Sequence, residues 1–427
     1  MLLANQEQFL FDLESRDDHL RVLRFNGQES ISKPFRFEIE VATENPELPL
    51  KELLGKGALL SFVDSNEEPQ RRVRGMVTAA QGLEHRVRFS VYRLVIEPQL
   101  VLLDKRINSR IFQFQSVPTI IKTLLEEAGL AADAFRFVLQ GDHPERDYCV
   151  QYDESELNFF HRLLEEEGMI YYFEHTEDRH VLVIAEGHAA YEDIEPVQVP
   201  FTDVSGMVQA DSETIHDWVA RHHVQTGKVA FRDFEFGKPS LNQHVSVEAQ
   251  RDQHLEDYLY PGDYREPERG RVLAQWRLDA YRAQERSAQA MSQCKRLVPG
   301  YRFELVDHPD DRQNISYLIV ELKHFGEQPQ VLEEGASDQA ARYGNQFHAI
   351  PCFPLWYFVP STGVKNPVWM PPKRPSSPAP KARRFIPTNT AGSRCSFTGT
   401  GSVNTTNKVP AGCGWRRCGP APNGVRF

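Results

Sequence analysis

The chain has 427 residues, 40% of them apolar, enough for about two to four domains with cores of their own. No stretch approaches 18 apolar residues, and the start, MLLANQEQFLFDLESRDDHL, lacks a basic n-region, so neither a membrane-spanning helix nor a cleaved secretory signal is expected. The net charge of −11 averages two unlike parts: residues 352–427 hold 11 Lys and Arg and no acid, which leaves 38 bases against all 60 acids, or −22, in residues 1–351.

The first hundred residues read mostly as strands. Phe35, Phe37, Ile39 and Val41 alternate with Arg36, Glu38 and Glu40, the period of a half-buried strand. Val87, Phe89 and Val91 repeat the pattern, and Tyr92, Leu94 and Ile96 carry it on until Pro98 stops it. Short strands parted by turn residues predict a barrel or a sandwich. Val117, Ile120, Ile121, Leu124, Leu125 and Ala128 then form one helical stripe, opened by Ser116 and Pro118 and closed by Gly129. Phe135–Leu139 reads as a strand.

Cys149–His175 compresses a strand, a helix, a glycine stop and a second strand into one stretch. Asp153 is expected to cap the helix, with Glu156 three residues on reaching back to it. Leu157, Phe160 and Leu164 share a helical face, with Phe159 and Leu163 beside them, and Gly168 permits a left-handed stop. Glu165, Glu166 and Glu167 occupy the last turn, where the helix dipole disfavours acids. They read either as a solvated face or as a sign of another task. Met169–Phe173 is expected to pair with Val181–Ala185. Phe112, Phe114, Phe159 and Phe160 read chiefly as core. Because Tyr172 alternates with Tyr171 and Phe173, one aromatic face of this strand is expected at a subunit contact.

From residue 201 strands return. Lys228–Phe236 alternates loosely; Val272, Leu273, Trp276, Ala280 and Ala283 mark a helical stripe; Tyr301–Val306 and Tyr317–Leu322 read as late strands. No internal repeat is visible.

Catalytic signatures are lacking. There is no G-x-S-x-G elbow, P-loop, G-x-G-x-x-G or H-E-x-x-H. His216, His222 and His223 are metal ligands by type, but their spacing favours surface residues. Glu165–Glu167, or Asp307 with Asp310 and Asp311, offer paired carboxylates for glycoside hydrolysis, yet 60 acids make such clusters by chance. Cys149 and Cys294 read as inert thiols of a reducing compartment. No catalytic, cofactor-binding or metal residue is assigned, and no cofactor is expected. A carboxylate-dependent hydrolase of unrecognised type stands as the enzymatic alternative.

Five ordered segments carry a resemblance. QYDESELNFFHRLLEEEGMIYYFEH (Gln151–His175), RINSRIFQFQSVPTIIKTLLEEAGL (Arg106–Leu130), FRDFEFGKPS (Phe231–Ser240), VPGYRFELVDHP (Val298–Pro309) and RYGNQFHAIP (Arg342–Pro351) together resemble the VgrG family. These are spike proteins at the tip of the bacterial type VI secretion needle, related to the hubs of contractile phage tails. The likeness covers roughly residues 1–351. It implies an α+β, mainly β fold: two β-barrel domains flanking an α/β insert, phage tail-hub-like, followed by an irregular or disordered C-terminal tail. The implied limits are 1–106 for the first barrel, 107–200 for the α/β segment, 201–345 for the second barrel and 346–427 for the tail. It implies a structural role without catalysis: a truncated hub that caps the secretion tube and delivers effectors. The implied partners are two further copies in a homotrimer formed through the hub, the tube-protein ring beneath it, and effector or adaptor proteins. Neither nucleic acid nor stable membrane insertion is implied. The protein is expected in the cytoplasm before assembly and to leave through the type VI machine without a signal peptide. A phage contractile-tail hub is the nearest alternative.

After RYGNQFHAIP the family continues into a small barrel and a β-helical needle, whereas this chain turns rich in Pro, Gly, Ser and Arg without period. Under permitted codons, a one-nucleotide slide turns Thr390–Gly401 (TAGSRCSFTGTG) into YGRVKVQFHWDR. The same slide turns Gly414–Arg426 (GWRRCGPAPNGVR) into VAQVWAGTEWGSV, also family-like and in order. The hypothesis is a frameshift near residue 352; a stop codon in the other frame of the gene would exclude it. Cys352, Cys395, Cys413 and Cys418 are too scattered for zinc knuckles, and the bases around Trp369 and Trp415 form no stripe for nucleic acid. Without the needle, a weak trimer or a monomer is expected in dilute solution.

Overall fold

The computed structural model describes residues 7–352, apart from 15–18, 65–67, 86–87, 188–190, 204–212, 235–236, 263 and 329–340. The expectations for the tail after Cys352 lie outside the described residues.

Alternation builds the first barrel. Its elements are β1 (Phe9–Leu13), β2 (Arg21–Ser30), β3 (Lys33–Thr43), the single turn α1 (Leu50–Leu53), β4 (Gly57–Val63), β5 (Pro69–His85) and β6 (Ser90–Glu97). The strands run β1-β4-β5-β6-β3-β2, and the pairing of Leu10 with Arg21 joins β2 back to β1. Closure removes the exposed sheet edges. Phe35, Phe37, Ile39 and Val41 all point inward, beside Phe9, Phe25 and Phe62. The second predicted strand is shorter than expected. It starts at Ser90, so Phe89 lies outside it, while Arg86 and Val87 lie outside the described residues.

The next segment comprises β7 (Ile107–Phe112), α2 (Val117–Glu127), β8 (Phe135–Val138), β9 (Cys149–Ser155), α3 (Glu156–Glu166), β10 (Ile170–His175) and β11 (His180–Ala185). β7 and β9 form a two-stranded antiparallel ribbon; β10, β11 and β8 form a small mixed sheet. α2 buries the predicted stripe, Val117, Ile120, Ile121, Leu124 and Leu125. The start of α3 differs from expectation. Ser155, not Asp153, is the cap, and its hydroxyl accepts from Asn158 N at 3.2 Å. Asp153 belongs to β9 in a left-handed conformation (φ 47°), where a bulge sets Tyr152 and Asp153 opposite Ser109. The bulge turns Glu154 inward, onto Arg162 of α3 at 2.6 Å. Glu156 is likewise no capping-box partner: it is buried against Arg106 (2.9 Å) and Arg110 (3.4 Å).

A second ring follows. Its chain order is β12 (Glu192–Pro200), β13 (Ile215–His222), β14 (Lys228–Arg232), β15 (His244–Glu248), β16 (Glu256–Leu259), α4 (Pro267–Ala283), β17 (Arg286–Ser292), β18 (Tyr301–Val306), β19 (Ser316–Glu327) and β20 (Arg342–Pro351). Six of these pair as β12-β18-β19-β20-β17-β13, and a parallel bridge from Phe201 to Ile215 links the ends. Phe303, Tyr317, Leu322 and Phe347 fill this barrel. β14, β15 and β16 form an appended sheet under α4, with Val229, Phe231, Val245 and Leu278 as its core. Here the predicted stripe of α4 holds except at Val272. Four of its five residues do pack, Ala283 buried and Leu273, Trp276 and Ala280 partly buried against core clusters. Val272 is exposed, while Gly270, Ala274 and Leu278 add a buried line of mostly small residues over the flat sheet.

β19 joins the two barrels. Its start pairs with β18 of the second barrel, and Glu321–Glu327 pair with Ser30–Arg24 of β2 in the first. β20 runs alongside it throughout, with a register shift between Ile319 and Glu321 at the crossing point. The two barrels are therefore one continuous hydrogen-bonded sheet, not two bodies on a linker.

Candidate functional site

The acidic last turn of α3 proves to be half of an ionic clamp. Glu167 caps the helix, is nearly fully buried, and meets His143 Nδ1 at 3.1 Å, Arg146 at 2.6 Å and Arg269 of α4. Glu166 takes Arg146 at 2.5 Å and Arg162 at 3.0 Å. His143 bridges to Glu186 through Nε2 at 3.1 Å, and Glu186 also accepts from the backbone N–H of Gly141 at 3.2 Å. Burial opposes charge on His143, but Glu167 and Glu186 overcome it and raise the imidazole to about 9. Burial alone would raise Glu167; His143, Arg146 and Arg269 hold it at about 2. The reading of these acids as a solvated face is thus corrected for Glu166 and Glu167. Their repulsion with the helix dipole is offset by cations from the β8–β9 loop and from α4. Gly168 (φ 67°) completes the joint, since a Cβ there would lie 2.5 Å from Trp276 of α4.

A second cluster lies where β2, β5, β10, β19 and β20 meet. Glu29 is buried and pairs with Arg71; His324 Nε2 lies 2.8 Å from the same carboxylate, and His324 Nδ1 lies 2.9 Å from the Tyr343 hydroxyl. Arg71 also donates to the carbonyls of Lys295 (3.2 Å) and Leu297 in the second barrel. Burial would raise Glu29, but Arg71, then His324 and His175, hold it at about 2. Burial keeps His324 below its ordinary range and His175 at about 3. The sequence reading missed this cluster, although a signal was present. Glu29 falls in period with Phe25 and Gly27, Arg71 with Val73, and His324 with Leu322, so each is an ionisable residue on an apolar face.

In both clusters the carboxylates lie in ion pairs, and Glu29, Glu167 and Glu186 are held low rather than raised toward neutrality to serve as acids. The other candidates do not assemble. Asp310 caps the turn at Asp311–Gln313 and takes Arg312 in a two-pronged contact at 2.9 Å, which holds it at about 2. Asp307 occupies a left-handed position in the same loop (φ 62°). His216, His222 and His223 lie along and just beyond β13; among the described residues no three His, Cys, Asp or Glu could hold a metal ion. Cys149 and Cys294 are buried, and burial raises the Cys294 thiol to about 12, an unreactive state. The described helices include none long and apolar enough to cross a membrane.

The aromatic expectation is corrected as well. Tyr171, Tyr172 and Phe173 are all buried within the chain: Phe173 meets Phe35 edge-on at 5.1 Å, and Tyr172 meets Tyr301 at 5.9 Å. The exposed aromatics of the α/β segment lie instead on the β7–β9 ribbon and its ends. Its inner face, with Phe112 stacked on Phe159 of α3 at 5.7 Å, is covered. Its outer face carries Ile107 and Ile111 on β7, with Ile111 directly opposite Val150 of β9, and Tyr148 and Tyr152 on either side of Val150. Phe114 follows at φ 53° and is 68% exposed.

With this geometry stand the similarities to known proteins. The profile of the phage tail baseplate hub (GPD) family matches residues 28–330. The type VI secretion system spike protein VgrG4b of Pseudomonas aeruginosa is 38% identical over 360 residues, 82% of this chain and 44% of the relative. VgrG5 of the same organism is 35% identical over the same share of this chain and 45% of its own. The chain thus spans under half the length of either relative. Among solved structures, the E. coli c3393 protein aligns with a TM-score of 0.62 at 20% identity, over 82% of this chain and 79% of that one. It is described as a type VI secretion component with structural similarity to T4 bacteriophage tail proteins gp27 and gp5. These likenesses bear out the VgrG resemblance carried by the five segments and the mainly β, hub-like fold. The chain belongs to the phage tail baseplate hub (GPD) family.

Proposed function

We propose that this chain is the hub portion of a type VI secretion spike, a mechanical part that caps the secretion tube and carries effectors. The observation that carries this reading is the β2–β19 seam. Domains joined by a linker move relative to one another by default. Here the strand register of one barrel continues into the other, and the Glu29–Arg71 cluster ties the α/β segment to both. A stiff body of this kind transmits thrust through backbone hydrogen bonds. The VgrG relatives, named as spike proteins, support the reading, as does a set of carboxylates spent on ion pairs rather than tuned for chemistry. In this reading the chain is not an enzyme. Three copies form the working ring, the tube-protein ring lies beneath, and effector or adaptor proteins ride on it. The protein is made in the cytoplasm and exported by the type VI machine. Residue 106 serves as its first proposed unit boundary; because β12 and β20 both belong to the second barrel, the other two proposed limits, expected at 200 and 345, are drawn at about 191 and 351. A phage contractile-tail hub is the second reading, favoured by the family profile itself.

The test is a graft. Residues 1–352 replace the matching region of VgrG4b in Pseudomonas aeruginosa, and secretion of the tube protein is measured. Retained secretion is expected. A chimera that folds and accumulates yet supports none contradicts the secretion reading and leaves the phage one.

A further inference from the structure

The appended sheet has one face against α4 and one face open. Alternation sorts its residues. Val229 and Phe231 of β14, Val245 of β15 and Leu259 of β16 pack toward α4, where Asp257 also takes Arg277 at 2.6 Å and Tyr281 at 3.0 Å. The other face runs in three rows across β15, β14 and β16. In the first row Lys228 stands between Glu248 and Glu256, 3.5 Å from each, so its charge is matched twice. In the second, the small Ser246 and Ala230 lie beside Tyr258, which is 53% exposed. In the third, Arg232 is directly opposite His244, and both are exposed. A hydrogen bond from Gly262 N to the Arg232 carbonyl at 3.1 Å keeps the chain beside β14, which sets Tyr260, 59% exposed, level with Arg232. Among the described residues no acid meets the Arg232 guanidinium.

We propose that this open face binds an acidic polysaccharide, a chain of sugar rings bearing carboxylates. The inference goes beyond the hub role and does not depend on it. A small molecule takes a cleft that buries most of its surface, whereas a flat sheet face suits a polymer lying along it. Tyr258 and Tyr260 stand two residues apart on one strand face, about 7 Å, and present ring planes to the apolar faces of pyranose rings. Arg232 supplies the charge complement. Its planar fork fits a carboxylate through two parallel hydrogen bonds, and the His244 ring beside it offers an N–H in either protonation state. Glu248 and Glu256 in the first row are acceptors for sugar hydroxyls. Two other polyanions fit this face less well. A nucleic acid needs many cations along its phosphates, and here one unmatched guanidinium stands on a body that carries 38 bases against 60 acids. An acidic peptide in extended form pairs with a strand edge through its backbone, whereas the open groups stand on the face.

The experiment is calorimetric titration of the full chain, at fixed pH and salt, with a galacturonic acid pentamer, a neutral glucose pentamer and pentaglutamate, each to about one millimolar. It is run on the native chain, on Tyr258→Ala with Tyr260→Ala, on Arg232→Gln, and on Val224→Ser as an exposed control off this sheet. Amide exchange of residues 228–232 and 256–260 is followed with and without the uronate pentamer. The native chain and the control are expected to bind the uronate at least about tenfold more tightly than the glucose pentamer and to leave pentaglutamate unbound, with exchange slowed on β14 and β16. The double variant should keep its circular dichroism and lose more than about tenfold in affinity. Arg232→Gln should bind the two sugars alike. The proposal is overturned by a native chain that binds no uronate, or by a folded variant of either kind that binds it like the native chain. It is also overturned by pentaglutamate binding as tightly as the uronate, which would make this face a site for acidic peptides. If neither variant folds, exchange on the native chain decides: slowing confined to residues away from β14 and β16 overturns the proposal.

Discussion

β10 and β9 are both aromatic strands of the α/β segment, and they meet opposite ends. β10 is covered on both faces. Tyr171 and Phe173 face the first barrel's core, while Tyr172 lies against Tyr301, with Gly300 so close that a Cβ there would sit 2.9 Å from the Tyr172 ring. β9 is covered on one face only, so Tyr148, Val150 and Tyr152 stay outside. The cover of β10 comes from the distant start of β18. A local pattern shows that a strand has two faces; it does not show what arrives to cover them.

This comparison can be broken or sharpened at several points. The largest effect is expected at the junction that fixes β10 in place. Arg71→Met leaves Glu29 as an uncompensated buried charge and should cost about 3–5 kcal/mol, read from the denaturant midpoint. A loss under about 1 kcal/mol would show that the cluster does not hold the barrels together. Next, Tyr172→Ala should cost about 3 kcal/mol, near the lower end for a buried aromatic. The matching Tyr152→Ala, measured on dilute protein, should stay within about 0.5 kcal/mol, as exposed positions do. Equal costs at the two sites would erase the distinction between the strands.

The smallest effects are pH-dependent and opposite in sign. Burial lowers His161 and His180 to about 4 and His175 to about 3, against an ordinary imidazole value of about 6.5. These groups contribute stability that is present above that value and lost as pH falls through about 4 to 3, because only the unfolded chain takes up the protons first. His143, raised to about 9, contributes stability that is present below about 6.5 and lost as pH rises through about 9. Thermal midpoints of His143→Gln should therefore lie below those of the native chain near pH 6 and converge with them above pH 9. A constant offset at every pH would mean that the imidazole acts only by filling space.

Much of the fold was legible. The alternation from Phe35 to Val41, the stripe from Val117 to Leu125, the Met169–Phe173 hairpin with Val181–Ala185 and the strand Tyr301–Val306 all lie where their periods put them. What misled was local chemistry overruled from afar. Asp153 looks like a cap until the bulge opposite Ser109 claims it. Glu166 and Glu167 look solvated until Arg146 and Arg269 arrive from other elements. Val272 looks buried only because a helical wheel cannot tell which small residues, Gly270 and Ala274, a flat sheet will select. The β2–β19 seam was not legible at all, since its partners lie almost three hundred residues apart.

That seam is best tried by native-state amide exchange on the dilute full chain. Residues 24–30 of β2 and 321–327 of β19 should fall in the slowest class together with the interiors of both barrels, while the ribbon at 107–112 exchanges faster. Seam amides that open well before either barrel would contradict a single rigid hub and describe two barrels that part.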